Sequence, residues 1–483
     1  MAAVLARVFP RRILINSASI FAGEAIVRFA TFLMALVIAR RFGSAALGEY
    51  GYALALASVL LVVPDLGLHL FVVRELSTDK RRLQAIFWSV HWLKLLLVGF
   101  VVAFGLVFGK WGIADDGRRI LFYVLIARVL LQTFSQASMA VFKAFECMEY
   151  VALQQSLNSL VVVVWVGAAL ALHTRLPLLV AALVAGQLVE TVIGWRILRD
   201  KFSPGHLRSW DNQLSYAVLA GCLPIGTTTI LESLNIRIDI LILGVYGSSR
   251  VLGQFQAAAW FAVGTFLVAS LLMAVLFPKL SRLLHNHSIL GSTYVLSLLK
   301  NGLLVTALAA LVLWLAAPRL LPILIGSDSE PAVRTLRILL PALPLVFLNT
   351  VLFYVFVAAR RRFVCMGILG VGIGAGATLC FYLSARYGAA GCAFADVTRE
   401  FVITAGYLYF LVEGDHARIA GLALLKVFWG ATGLLLLIVY LTSSLRHGDE
   451  WFAVWIVFVL TGTLFMLGFP RRREWRLLLD GGL

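Results

Sequence analysis

Apolar runs of about 20 residues or more recur along almost the whole chain, each closed by a short charged or Gly/Pro-containing break. A run of that length crosses the hydrocarbon of a bilayer as a helix, and lipid offers no partner to an exposed backbone amide or carbonyl. A chain built of such runs has one folding option, a bundle of transmembrane helices. Spans are expected at roughly 13–39, 49–73, 83–108, 119–142, 150–172, 176–198, 214–244, 254–278, 293–316, 334–358, 363–385, 389–411, 418–443 and 451–468. These fourteen use nearly all of the 483 residues and leave no room for a soluble catalytic domain. A mean hydropathy of +0.95 agrees.

The formal net charge of +17 would suggest nucleic acid in a soluble protein, so its placement matters. Seven cations (Arg28, Lys94, Arg128, Arg237, Lys300, Arg399, Lys426) and seven anions (Glu24, Asp65, Glu190, Glu232, Asp239, Asp396, Glu400) fall inside apolar runs and cancel. The whole excess therefore lies in loops and tails. Placing both termini in the cytoplasm gives the inner loops a nearly two-to-one excess of Lys and Arg, with Arg40 and Arg41 in the first outer loop as a local exception. The inner face should attract anionic lipids. The basic N-terminus lacks a signal-peptide cleavage pattern, and its charges are expected to hold the first helix at the cytoplasmic face. Cys147, Cys222, Cys365, Cys380 and Cys392 have no metal-ligand spacing, so neither a metal nor a disulfide is expected.

An internal repeat organises the chain. Gly43-Ser-Ala-Ala-Leu-Gly48-Glu-Tyr-Gly-Tyr-Ala matches Gly247-Ser-Ser-Arg-Val-Leu-Gly253-Gln-Phe-Gln-Ala with one inserted residue. The same offset of about 205 residues carries Lys94 onto Lys300, and a slightly longer one carries Glu190 onto Glu400. Six spans separate the copies, an even number, so both enter the membrane in the same direction. The expected domains are a six-helix lobe over 1–200, a second over 201–412, and two extra helices with a basic tail over 413–483. In transporters made of such repeats the substrate site usually lies between the halves.

An ionisable side chain inside a bilayer costs at least about 2.5 kcal/mol and usually faces a partner or a wet cavity. Glu24 and Arg28 share a helix face with Thr31, as either a self-neutralising pair or a cavity-facing cation with its support. Arg128 heads a polar stripe with Gln132, Ser135 and Gln136, too deep for easy snorkelling. The helix carrying Thr228, Glu232, Arg237 and Asp239 is polar on too much of its circumference to face lipid. Lys94 with His91, and Lys300 with Asn301, hold matching places and serve either as substrate contacts or as snorkelling cations. Pro64-Asp65-Leu66-Gly67 predicts a broken helix around a carboxylate. Asp65, Glu190, Asp396 and Glu400 are candidates for a coupling Na+ or H+, or else plain salt-bridge partners. Asp396 and Glu400 stand one turn apart, so protonating one would relieve repulsion. The run Gly370 to Gly376 contains two overlapping GxxxG spacings and reads as close helix packing, since no strand precedes it for a dinucleotide loop.

Ala39-Arg-Arg-Phe-Gly43 to Gly48-Glu-Tyr50, then Asp65-Leu-Gly67 and Arg74-Glu75, resemble the N-terminal signature of Wzx-type polysaccharide flippases. Arg237-Ile-Asp239-Ile-Leu-Ile-Leu-Gly244 leading to Gly253 resembles the start of their second half. Phe255 stands where the first half has Tyr50, and Gln254 where it has an acid. The resemblance implies a member of the multidrug/oligosaccharidyl-lipid/polysaccharide exporter superfamily: an all-α polytopic membrane protein, two six-helix lobes in a V with two further helices. It implies translocation of an undecaprenyl-diphosphate-linked oligosaccharide to the periplasmic leaflet of a bacterial inner membrane. The pathway would be O-antigen, exopolysaccharide or capsule synthesis, with a polymerase and a chain-length regulator as partners. Arg28, Arg128 and Arg237, with Lys94 and Lys300, would form the cationic substrate wall, and no cofactor is expected beyond a coupling ion. Two alternatives stay open: a multidrug exporter of the same superfamily, which the buried cations disfavour, and a polytopic glycosyltransferase or polymerase on the same lipid carrier, which the short outer loops disfavour.

Overall fold

The computed structural model describes residues 11–113, 115–202, 212–261, 293–326, 329–359 and 361–412. The expected spans at 418–443 and 451–468, and most of that at 254–278, lie outside them. Among the described residues every regular element is helical, so the protein is an all-α, multi-pass membrane protein. The helices are α1 (Arg11–Asp65), α2 (Leu68–Thr78), α3 (Leu83–Trp111), α4 (Asp116–Ala144), α5 (Met148–Ala171), α6 (Leu176–Ile197), α7 (Asn212–Tyr246), α8 (249–261), α9 (Thr293–Ile325), α10 (Glu330–Leu339), α11 (Ala342–Ala358) and α12 (Arg362–Val412).

α1 and α12 are each two spans joined through a single glycine. Gly43 (φ 83, ψ 177) divides α1 and Gly388 (φ 57, ψ −131) divides α12. Both angles lie where a Cβ would clash, so glycine reverses the chain with almost no loop. The break expected at Pro64–Gly67 is present. α1 stops at Asp65, Leu66 and Gly67 both take positive φ, and α2 resumes the same span. The Asp65 carboxylate accepts from the His69 amide at 3.3 Å, which satisfies one of the orphan donors at the start of α2. The Leu66 carbonyl lies against α7 so closely that a Cβ on Gly226 would press on it.

The chain divides into two compact units, one from Arg12 to Gly253 and one built from Gln254 onward. In the first, α6 packs on α4 and α5, and α2 packs on α4 and α7. Leu68, Phe71, Leu76, Ile86, Phe87 and Phe142 are among the residues that fill the core there. Arg41, one of the outer-loop exceptions, donates to the Ala169 carbonyl at 3.1 Å and the Leu170 carbonyl at 3.3 Å. It caps the C-terminus of α5, where the helix leaves carbonyls unpaired and its dipole favours a cation. A fixed structural duty thus accounts for Arg41 at this turn.

In the second unit α12 packs on α10 and α11, and α9 on α10 and α11. α10 and α11 together are long and apolar enough to cross a membrane, and they are bent by 41° at Leu340–Pro341. The glycine run of α12 splits by face: Gly372 and Gly376 lie against Ile403 and Arg399, whereas Gly370 and Gly374 meet open space. One of the two GxxxG spacings therefore packs and the other does not.

Candidate functional site

In the first unit, helices far apart in sequence bring three arginines together. Arg28 comes from the first arm of α1, Arg128 from the middle of α4 and Arg237 from the C-terminal third of α7. Arg28 and Arg128 stand close enough to Arg237 for their charges to act on it, and the Tyr50 hydroxyl lies within reach of Arg128 and Arg237. Three guanidinium groups offer donors only and repel one another, so such a cluster persists in a membrane by facing water or an anion. Arg28 is steadied by Glu24 at 3.8 Å, and Glu24 in turn accepts from Gln155 at 3.3 Å. Among the described residues neither Arg128 nor Arg237 has an ion-pair partner. Glu190 lies within electrostatic reach of Arg128, but Asn158 and Gln187 donate to its two carboxylate oxygens.

Unsatisfied polar atoms lie on the same helices. The Tyr50 side chain is fully buried and its hydroxyl has no hydrogen-bond partner among the described residues; Gln136 Oε1 and Asn235 Oδ1 are likewise buried and unpaired. Buried polar groups normally find a partner, so water or a ligand is expected beside them. The stripe on α4 is shared between neighbours. Ser135 accepts from Gln187 at 2.8 Å, which ties it to α6, whereas the Gln136 carbonyl accepts from His69 at 3.1 Å.

Lys94 is placed differently from the arginines. Its side chain is 0% exposed, its ammonium lies 3.5 Å from Asp65 Oδ1, and it donates to the Thr133 carbonyl at 3.1 Å. The broken helix, α3 and α4 are thus joined by one buried ion pair. His69 extends it: Nδ1 faces a carbonyl that can only accept, so Nδ1 carries the proton, and Nε2 is left to accept from Lys143 at 3.2 Å. Asp65 is joined to His69 through the His69 backbone amide, while the His69 ring bonds to the Gln136 carbonyl and to Lys143.

The carboxylates of the two halves meet related surroundings. The Glu190 carbonyl accepts from the Gln154 amide at 3.0 Å, and the Glu400 carbonyl accepts from the Asn349 amide at 2.9 Å. Asn349 also donates to Glu400 Oε2 at 2.9 Å, and Thr404 donates to Asn349 Oδ1 at 2.7 Å. Arg399 donates to Asp396 and lies 3.5 Å from Glu400 Oε1, so one guanidinium stands between the two carboxylates. Charge neutralisation replaces the bare repulsion that their spacing suggested. The Lys300 side chain lies outside the described residues.

Tyr50, His69, Lys143 and Arg399 are the members that sequence reading passed over as site residues. Lys143 reads as a loop cation and Tyr50 only as a position of the repeated motif. Only Arg399 carried a usable signal, three residues from one acid and adjacent to the other.

Residues 13–284, more than half of the chain, match the family described as polysaccharide biosynthesis protein. No curated protein matches the sequence. Among solved structures the fold is similar to that of the lipid II flippase MurJ in its inward closed conformation, with a TM-score of 0.70 at 14% identity, covering 95% of this chain and 100% of that one. It is also similar to an inward-facing multidrug resistance transporter of the MATE family in the MOP superfamily, with a TM-score of 0.65 at 14% identity over 81% of this chain and 97% of the other. The eukaryotic MATE transporter AtDTX14 is similar as well, with a TM-score of 0.58 at 10% identity, covering 85% of this chain and 98% of that one. At these identities the likeness carries the fold, a multi-pass helical architecture shared by flippases and drug exporters.

Proposed function

The chain belongs to the polysaccharide biosynthesis protein family, and from that premise we propose that it flips an undecaprenyl-diphosphate-linked oligosaccharide repeat unit from the cytoplasmic to the periplasmic leaflet of a bacterial inner membrane. The observation that carries this reading is the approach of Arg28 and Arg128 to Arg237, with the Tyr50 hydroxyl beside the latter two. A sugar-diphosphate headgroup is multiply anionic and strongly hydrated, and hydrocarbon replaces none of that hydration. Guanidinium forks do, because each can present two parallel donors to a phosphate. An organic-cation exporter would need acids and aromatics at this place instead.

In this reading the headgroup sits among the three arginines while the lipid tail stays in the bilayer, and the two lobes, 1–200 and 201–412, rock to alternate access. No bond is made or broken. Lys94 is answered by Asp65, so recognition falls to the arginines, and Lys300 is the second half's counterpart of Lys94. Asp65 is the carboxylate best suited to a coupling H+, because it stands at the break in the helix with the buried Lys94 ammonium 3.5 Å away. Glu190, Asp396 and Glu400 have their charge met by amides or by Arg399. Both termini would lie in the cytoplasm, and a polymerase would take up the delivered repeat units for O-antigen, exopolysaccharide or capsule.

The test is the leaflet location of the lipid-linked oligosaccharide in deletion cells complemented with wild type or Arg128→Ala, with membrane insertion checked by immunoblot. Accumulation on the cytoplasmic face, reversed by wild type and not by the inserted variant, is the expected result. Normal delivery to the periplasm in uncomplemented cells would remove flipping as the essential task. Normal delivery with Arg128→Ala would remove this residue from the mechanism.

A further inference from the structure

The five cysteines are all thiols, and the fold brings two of them into contact. Cys380 lies on the first arm of α12 and Cys392 on the second, on either side of the reversal at Gly388. Twelve residues would separate them by about 18 Å along a straight helix. Their Sγ atoms are 2.8 Å apart, and both side chains are 0% exposed. The backbone fixes this approach. A Cβ on Gly391 would overlap the Leu383 carbonyl, so the two arms are pressed together immediately beside the sulfur atoms. The remaining distance exceeds a disulfide bond by about 0.8 Å, a closure within the reach of side-chain rotation alone.

We propose that Cys380 and Cys392 are a disulfide-forming dithiol, a redox modification site in the α12 hairpin whose oxidant is an external disulfide. The positive-inside orientation puts the Gly388 bend at the outer face, the compartment in which thiols are oxidised. One cysteine, as its thiolate, attacks a sulfur of the external disulfide RS–SR, forming a mixed disulfide and expelling RS−. The second cysteine then attacks the first one's sulfur, forming the Cys380–Cys392 bond and expelling the other RS−. The two cysteine protons leave with the two thiolates as two RSH. The protein loses two electrons and the external disulfide gains them.

Burial selects the reagent. Both sulfurs are closed to water, so a small apolar disulfide reaches them and a bulky polar one does not. The closed bond would tie the arms of the hairpin at the bend and remove their freedom to separate.

The experiment uses the full chain in membrane vesicles treated with 2,2′-dithiodipyridine, then quenched in acid and cleaved at methionine. The fragment between Met366 and Met466 contains Cys380 and Cys392 and no other cysteine, so wild type alone gives the answer. The expected result is a fragment lighter by about 2 Da, the loss of two hydrogens, restored by dithiothreitol. In Cys380→Ser the same fragment should carry at most one pyridylthio adduct and never show the loss. A wild-type fragment that keeps both thiols, or carries two adducts in place of the loss, overturns the proposal. So does a loss that persists in Cys380→Ser.

Discussion

Gly48 and Gly253, which hold equivalent places in the two copies of the repeat, each pack against the backbone of the other copy. A Cβ on Gly48 would meet the Ser249 carbonyl and the Gly253 amide, and one on Gly253 would meet the Ser44 carbonyl. Arg118 closes over the same place, donating to Ser249 Oγ at 2.8 Å and to the Gly244 carbonyl at 3.4 Å. The duplicated glycines are therefore a mutual contact as well as turn signals. Each copy of the motif supplies the flat surface that the other needs.

The contact predicts a sharp intolerance to volume. In Gly253→Ala the new methyl would fall on a carbonyl, and no rotamer can move it away. The expected outcome is a loss of about 1–3 kcal/mol of stability, the usual range for overpacking, with transport down at least tenfold. Thermal unfolding in detergent and the leaflet assay measure the two. Wild-type values for both would mean that the two copies do not stay in contact.

Tyr50→Phe separates a structural from a substrate role for the buried hydroxyl. A buried, unpaired hydroxyl costs stability, so removing it should leave the melting temperature unchanged or slightly higher. If the hydroxyl meets the headgroup beside Arg128 and Arg237, transport should fall several-fold in a protein that is no less stable. Unchanged transport would place the headgroup elsewhere.

Legibility divides along a physical line. The apolar runs and the break at Pro64–Gly67 were readable because span length and Gly/Pro chemistry are local properties of the chain. The three arginines were readable one at a time, since each is a costly charge in an apolar helix. Their meeting at Arg237 depends on α1, α4 and α7 packing, which no local pattern encodes. The Cys380–Cys392 contact was hidden because a spacing of twelve carries no signal until Gly388 folds the helix back. Asp396 and Glu400 show the opposite failure: the cation between them was visible at position 399, and the i, i+4 spacing of the acids drew attention from it.

The Asp65–Lys94 pair predicts a rescue. Lys94→Met leaves a carboxylate in the core without its cation and should cost about 3–5 kcal/mol. Removing both charges with Asp65→Asn and Lys94→Met should recover most of that stability, because the desolvation of both ions is then avoided. Melting temperatures of the two singles and the double complete the cycle. If the double is as unstable as the worse single, the pair is not the unit that holds α3 to the broken helix.

Cys147, in the turn between α4 and α5, turns orientation into a measurable rate. Burial, then the carboxylate of Glu149, push its thiol above the usual cysteine range; Lys80 pulls the other way and Glu146 adds a further push upward. Thiolate is the reactive form, so a raised pKa means slow alkylation at pH 7 and a rate that climbs about tenfold per pH unit until the pKa is passed. Glu149→Gln removes one of the upward pushes and should accelerate the reaction at pH 7. Cys147 is partly exposed while the other four cysteines are buried, so an impermeant maleimide should report this position with little background. With the α4–α5 turn in the cytoplasm, inside-out vesicles should label and intact spheroplasts should not. Labelling from the outside would invert the assignment of both termini, and with it the face at which Arg28, Arg128 and Arg237 first receive the headgroup.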